Sequence, residues 1–140
     1  PLLENIVNSN NPLAPNDVNF VLGNRFVVEF PEEMEIKPYL TNSVDIPSIY
    51  SSDGKFYTEG NLKLKMREEL NLNLPKFEKI LLSSEKITVK INMLDATGVT
   101  IKSFCFLVYL SKIIIGDLNY GVCELFNYKL SFSVCEYNTN

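Results

Sequence analysis

Few side chains in this sequence are equipped for chemistry, and their spacing does not bring them together. The chain carries 17 acidic residues, three cysteines and no histidine. Without histidine, the commonest general base and metal ligand near neutral pH is missing. A serine or cysteine nucleophile would then depend on a lysine or carboxylate partner, and no G-x-S-x-G elbow occurs. Carboxylates cluster at Glu32, Glu33 and Glu35 and again at Glu68 and Glu69. Glycoside hydrolysis needs two carboxylates facing each other across a sugar, usually beside aromatic platforms. Adjacent acids on connecting segments, in a chain without tryptophan, point instead to a solvated surface. Asp53 and Asp117 each sit in a turn, but neither belongs to a loop of regularly spaced oxygen ligands, so Asp117 reads as turn chemistry rather than a calcium site.

The remaining chemical signals are equally bare. Six glycines form no phosphate-cradling loop. Cys105, Cys123 and Cys135 are odd in number, lack C-x-x-C spacing and have no histidine partner. They read as reduced thiols packed like small apolar side chains, not as a disulfide framework or a zinc site. Composition thus argues against an enzyme, and no cofactor or metal is expected.

With 140 residues, 46% hydrophobic and 21% charged, the chain is sized for one domain with its own core. The longest apolar stretch, Phe104–Leu110 with Ile113–Ile115, is interrupted by Ser111 and Lys112 and is too short to span a bilayer. No membrane insertion is expected, and the first ten residues show no signal-peptide pattern. A net charge of −4 disfavours stable nucleic-acid binding, which requires lysine and arginine against phosphate.

The elements that organise these residues repeat mostly with a period of two. Residues 1–19, rich in asparagine and proline, are expected to form an extended arm preceding a single domain over 20–140. Phe26–Phe30 reads as a strand stopped by Pro31, with the acids of 32–35 on a solvated connection. Leu40–Ile46 alternates Leu40, Asn42, Val44 and Ile46 against Thr41, Ser43 and Asp45, and Ser51–Gly54 (SSDG) is a turn. Leu62–Arg67 alternates most cleanly, Leu62, Leu64 and Met66 against Lys63, Lys65 and Arg67. That cationic face suits solvent, or a charged contact with a neighbouring subunit or a lumen.

One segment has a helical period. Asn73–Ser84 offers Asn73 as an N-cap, Pro75 in the first turn, and Leu74, Phe77, Ile80 and Leu81 on one face. Strands resume at Ile87–Met93, turn through Asp95–Gly98 (DATG), and continue through Val99–Leu110, apolar on both faces in its second half. Ile113–Ile115 reads as a buried strand end at Gly116, and Phe126–Val134 as a last alternating strand. The whole predicts a mainly β fold: an antiparallel β-sandwich or barrel of about seven strands with one short α-helix.

The order of motifs in the C-terminal half carries a family resemblance. NMLDATGVTIKSF (92–104) has a Leu-Asp, a turn glycine and an aromatic, Phe104, six residues beyond it; an apolar strand, GDLNY (116–120) and a final alternating strand follow. With NRFVVEF, SVDIP and the single helix before it, this order resembles the tail tube proteins of contractile-tailed bacteriophages over residues 24–137. Departures are Phe104 where the family often has tryptophan, Ser111 near a common proline position, and a short chain.

The resemblance implies a structural subunit that assembles with itself into stacked, hexameric rings, with tail sheath and baseplate proteins as partners. It further implies transient passage of DNA without specific binding, and a place in the virion after assembly in the bacterial cytoplasm. A tube-initiating baseplate component, a tube subunit of a related injection or type VI secretion machine, and a small-ligand-binding β-barrel with a closed apolar cavity are the alternatives. Within the tube reading, Val44–Arg67 is assigned to the inter-subunit sheet and lumen, with Val44, Ile46, Tyr50, Phe56, Tyr57, Leu62, Lys63, Leu64, Lys65 and Arg67 as candidates. Ile113–Tyr120, with Asp117, Leu118 and Tyr120 as candidates, is a further subunit-contact edge, and Pro75–Ser84 faces the sheath. An acidic subunit is expected to line such a conduit with charge that repels DNA.

Overall fold

The computed structural model describes residues 20–121 and 125–139; the expected arm over 1–19 and Cys123 lie outside them. Eight strands and one α-helix follow in chain order: β1 (Phe26–Glu29), β2 (Thr41–Asp45), β3 (Ser48–Ser52), β4 (Lys55–Glu59), β5 (Leu62–Arg67), α1 (Leu74–Ser83), β6 (Lys86–Leu94), β7 (Thr100–Ile115) and β8 (Asn127–Thr139). β1 ends before Pro31, which has no N–H to donate, and the acids after it lie on a short 3₁₀ turn, Glu32–Met34, exposed as expected.

Six strands form one antiparallel sheet in the order β1-β6-β7-β8-β5-β2. The sheet curls until β1 touches the Pro38–Leu40 turn that leads into β2, so its two edges nearly meet and the architecture is barrel-like. The count exceeds the expected seven because Ser48–Glu59 folds as a separate two-stranded hairpin, β3–β4. Its turn residues Asp53 and Gly54 both have positive φ, +55° and +74°, the backbone twist a two-residue hairpin requires.

Register explains the core. Leu62, Leu64 and Met66 of β5 stand opposite Phe132, Leu130 and Tyr128 of β8, and all six are buried. Phe106, Val108 and Leu110 from β7 and Ile87, Val89 and Ile91 from β6 continue that layer. Helix α1 covers it with Phe77 and Ile80; the Phe77 ring sits 5.3 Å from Phe30 and 6.1 Å from Tyr128. Apolar side chains from the sheet and α1 occupy the interior.

The start of α1 departs from the expected cap. Asn73 precedes the helix, but its side chain makes no capping bond; the Glu68 carboxylate instead accepts from the backbone N–H of Asn73 and Leu74, both at 2.8 Å. Glu68 also accepts from the N–H of Glu69. A carboxylate satisfies the orphan donors of a first turn and complements the helix dipole, which a five-residue offset in sequence does not reveal. Glu69 meanwhile pairs with Lys37 at 3.1 Å, and the hydrogen bond it accepts from that lysine lowers its carboxyl pKa from the ordinary value. These acids are therefore structural rather than merely solvated.

β7 is also less covered than its composition suggests: Cys105 and Leu107 are half-buried on the face away from the core, while Ile101 and Tyr109 are exposed. Cys135 lies at a bulge in β8 and is exposed, so it is not packed as a core thiol.

Glu68→Ala should lower unfolding free energy by about 1–2 kcal/mol, read by denaturant titration, with Glu68→Gln intermediate. The Asp95–Gly98 turn yields a pH effect. Asp95 Oδ1 accepts from the Thr97 hydroxyl and from the N–H groups of Thr97 and Val99, which hold its carboxyl below its ordinary value. A folded-state value depressed in this way stabilises above the unfolded value and is lost as pH falls through the folded one. Asp95→Asn should accordingly flatten the acid limb of a stability–pH curve.

Candidate functional site

Unequal strand lengths create the main surface feature. β6 pairs with β7 only as far as Lys86 opposite Tyr109, whereas β8 follows β7 to Tyr128 opposite Ile115. Leu110–Ile115 therefore has a strand on one side only, and Ile114 and Ile115 are 44% and 51% exposed. The expectation of a buried strand end here is corrected: among the described residues no strand pairs with that side of it. At the other end of the sheet, β2 pairs with β5 alone. The end of β7 with β8, β5 and β2 thus makes a four-stranded platform with an unpaired edge on each side.

The platform's face away from the core is cationic. Lys65 stands opposite Lys129, and Lys129 opposite Ile114; one row on, Asp45, Lys63, Ser131 and Lys112 lie side by side. Among the described residues no carboxylate reaches ion-pair distance of Lys63, Lys65, Lys112 or Lys129; the described ion pair is Lys37–Glu69. Arg67, next along β5, donates to the Tyr39 carbonyl at 3.3 Å. This face thus carries the sign opposite to the chain's net charge of −4.

An open cleft of about 950 Å³ adjoins it, between Lys65, Lys129, Ile114 and the overhanging segment with Asp117, Tyr120 and Leu125. Its corner is Gly116. A Cβ there would lie 2.4 Å from the Asn127 carbonyl oxygen, which accepts from the Gly116 N–H at 3.1 Å. Close approach between backbones, rather than an unusual φ, dictates glycine. Asp117, Leu118 and Tyr120 beyond it are exposed. Tyr128, at the cleft floor, is buried with its hydroxyl unpartnered among the described residues. Burial, aided by the negative charges of Glu68 and Glu69, pushes that phenol well above its ordinary range.

The β3–β4 hairpin is a second exposed element. Tyr50 and Tyr57 stand directly opposite each other with rings stacked 5.7 Å apart, while Phe56 packs edge-on against Tyr137 of β8. Its aromatics are exposed, with Tyr50 and Phe56 each about half accessible.

The sequence-derived candidates consequently divide. Lys63, Lys65 and Arg67 share the cationic face; Leu62 and Leu64 lie in the subunit's own core; Val44 and Ile46 are half-buried against that core. Tyr50, Phe56 and Tyr57 leave the main sheet on the hairpin, and Asp117, Leu118 and Tyr120 rim the cleft. Lys112 and Lys129 were not among them, while Ile113–Ile115 of the unpaired edge belong to the stretch expected as a subunit contact. Alternation in Phe126–Val134 places Lys129 on an outer face, but only strand pairing puts it beside Lys65. Among the described residues no cluster of three acids or cysteines is placed to hold a metal.

No protein-family model and no curated protein matches this sequence. Solved structures do. A chain of the anti-feeding prophage cap, a tube-terminating cap, is 10% identical with a TM-score of 0.69, covering 91% of this chain and 95% of that one. A chain from the sheath/tube terminator of an extracellular contractile injection system, PVC, is 12% identical with a TM-score of 0.66 over 89% and 99%. Hcp1 from Salmonella typhimurium is 12% identical with a TM-score of 0.55 over 78% and 80%. At these identities the likeness shows the fold, which is tail-tube-like.

Gly116→Ala must displace the Asn127 carbonyl and should cost about 1–3 kcal/mol of stability, measured by denaturant unfolding. Gly121→Ala, whose nearest neighbour is the Asn119 side chain, should be closer to neutral.

Proposed function

We propose that this chain is a structural, non-enzymatic tube subunit of a contractile tail, assembling with itself into stacked rings inside a sheath. The observation that carries the reading is the four-stranded platform with two unpaired edges on a tail-tube-like fold. An unpaired edge is a template for another chain, which a monomer must blunt and a ring can use. Strand direction fits: β7, β8, β5 and β2 alternate, so β2 runs opposite to β7 and would meet the Leu110–Ile115 edge of the next copy antiparallel. An even number of strands per copy lets this repeat around a ring. The contact is heterologous, one edge against a different one, and such contacts close into rings or extend into filaments. The edges also differ in charge, with Asp45 on β2 and Lys112 on β7.

In this reading the ring is hexameric, the platform's outer face lines the lumen, and the β3–β4 hairpin contacts the neighbouring ring. α1 turns toward the sheath, baseplate proteins cap the tube, and DNA passes through it in a phage virion assembled in the bacterial cytoplasm. The similar structures come from a sheath–tube complex, a terminator, a tube-terminating cap and a six-fold symmetrised baseplate. They support a tube-type role in common.

Ile115→Asp places a charge on the half-exposed edge without opening the core. It should abolish rings in negative-stain images and shift sedimentation to the monomer, with the thermal midpoint moved by only a few degrees. Assembly equal to the unsubstituted chain, or an unsubstituted chain monomeric at every concentration, would count against the reading.

A further inference from the structure

The lysine face suggests what such a surface would touch. Directly opposed side chains on neighbouring strands have Cβ atoms about 5 Å apart, and like charges so placed repel. Lys65 and Lys129 are such a pair, and Lys63 and Lys112 flank the same Ser131 one row away. A sheet face that only meets water usually interleaves acids with its lysines. Here four lysines on three adjacent strands share the face with one acid, Asp45 opposite Lys63, and form no described ion pair, in a chain whose acids outnumber its bases 17 to 13. A polyanion laid across the rows would relieve that repulsion.

We propose that Lys63, Lys65, Lys112 and Lys129 form a sequence-independent binding face for a nucleic-acid phosphate backbone. The choice of phosphate follows from the donors. Planar guanidinium forks suit carboxylates bidentately, whereas lysine acts as a compact point charge that serves phosphate well. The one arginine in line, Arg67, already spends a donor on Tyr39. The lysine rows present no aromatic ring between them, so base stacking and base readout have no platform there. Lysines two apart on β5 lie about 6.7 Å from each other and neighbouring strands about 4.8 Å apart, a grid that a flexible single strand can follow. The inference rests on the tube reading only for where that strand runs, along a lumen; contact with such a face would hold a polyanion rather than repel it.

The test is fluorescence anisotropy of a labelled single-stranded oligonucleotide titrated with the full chain. Each neutralised phosphate contributes about −0.7 to the slope of log affinity against log salt for single strands. Four contacts give a slope of about −3, or roughly 50-fold weaker binding at 200 mM than at 50 mM salt. Lys65→Gln with Lys129→Gln should halve that slope, while the charge-matched pair Lys76→Gln with Lys79→Gln, both on α1, should leave it unchanged. No binding at low salt, equal slopes in the two double variants, or equal competition by poly-glutamate would overturn the proposal. Assembly is recorded on the same samples: rings that form without binding defeat this inference alone, and binding by a chain that never assembles upholds it while defeating the tube reading.

Discussion

A mismatch in strand length governs the surface of this molecule. β7 runs for 16 residues and β6 for nine, so β8 must accompany the last part of β7 alone. Backbone N–H and C=O groups left without a strand partner turn to water or to another chain. The exposed isoleucines on that overhang make water a poor long-term partner. β2, at the far side of the same platform, leaves the complementary row of groups open, and the directions of the four strands make the two edges compatible.

The rest of the fold keeps that platform rigid. Alternation in β5 and β8 packs one face into a filled core, capped by Phe77 and Ile80 of α1, so the opposite face is free to carry charge. Glu68 ties the start of α1 back to the end of β5, and Gly116 lets the chain turn tightly against Asn127 where β7 ends. Hairpin β3–β4 stands apart from this sheet, anchored through Phe56 on Tyr137. Charge is divided in the same way: most described acids lie off the platform's outer face, which holds Asp45 but collects four lysines, so net charge describes neither surface well.

Much of this was legible in the sequence, for identifiable reasons. Strand periodicity in Leu62–Arg67 and Phe126–Val134, the Asp53-Gly54 and Asp95–Gly98 turns and the single helix are local signals, and each lies where its residues suggest. What escaped depends on pairing between distant segments. Nothing near Lys129 says that Lys65 is its neighbour, and nothing in IIIG says that β6 ends too early to cover it. Asn73 looked like a cap because its type and position fit, yet the carboxylate of Glu68, just beyond the preceding strand, takes the first-turn N–H instead. Gly116 marks the strand end that the sequence suggests, and pairing shows why a Cβ is excluded there: the Asn127 carbonyl packs against it.

The account stands on one seam, between β2 of one copy and Leu110–Ile115 of the next. A cryo-electron microscopy map of the self-assembled chain, at a resolution that separates strands, reads it directly. The account predicts a continuous antiparallel sheet crossing each subunit boundary at that seam, with Lys65 and Lys129 facing the central channel. Rings joined through β1 or α1, with both platform edges left open, would contradict it.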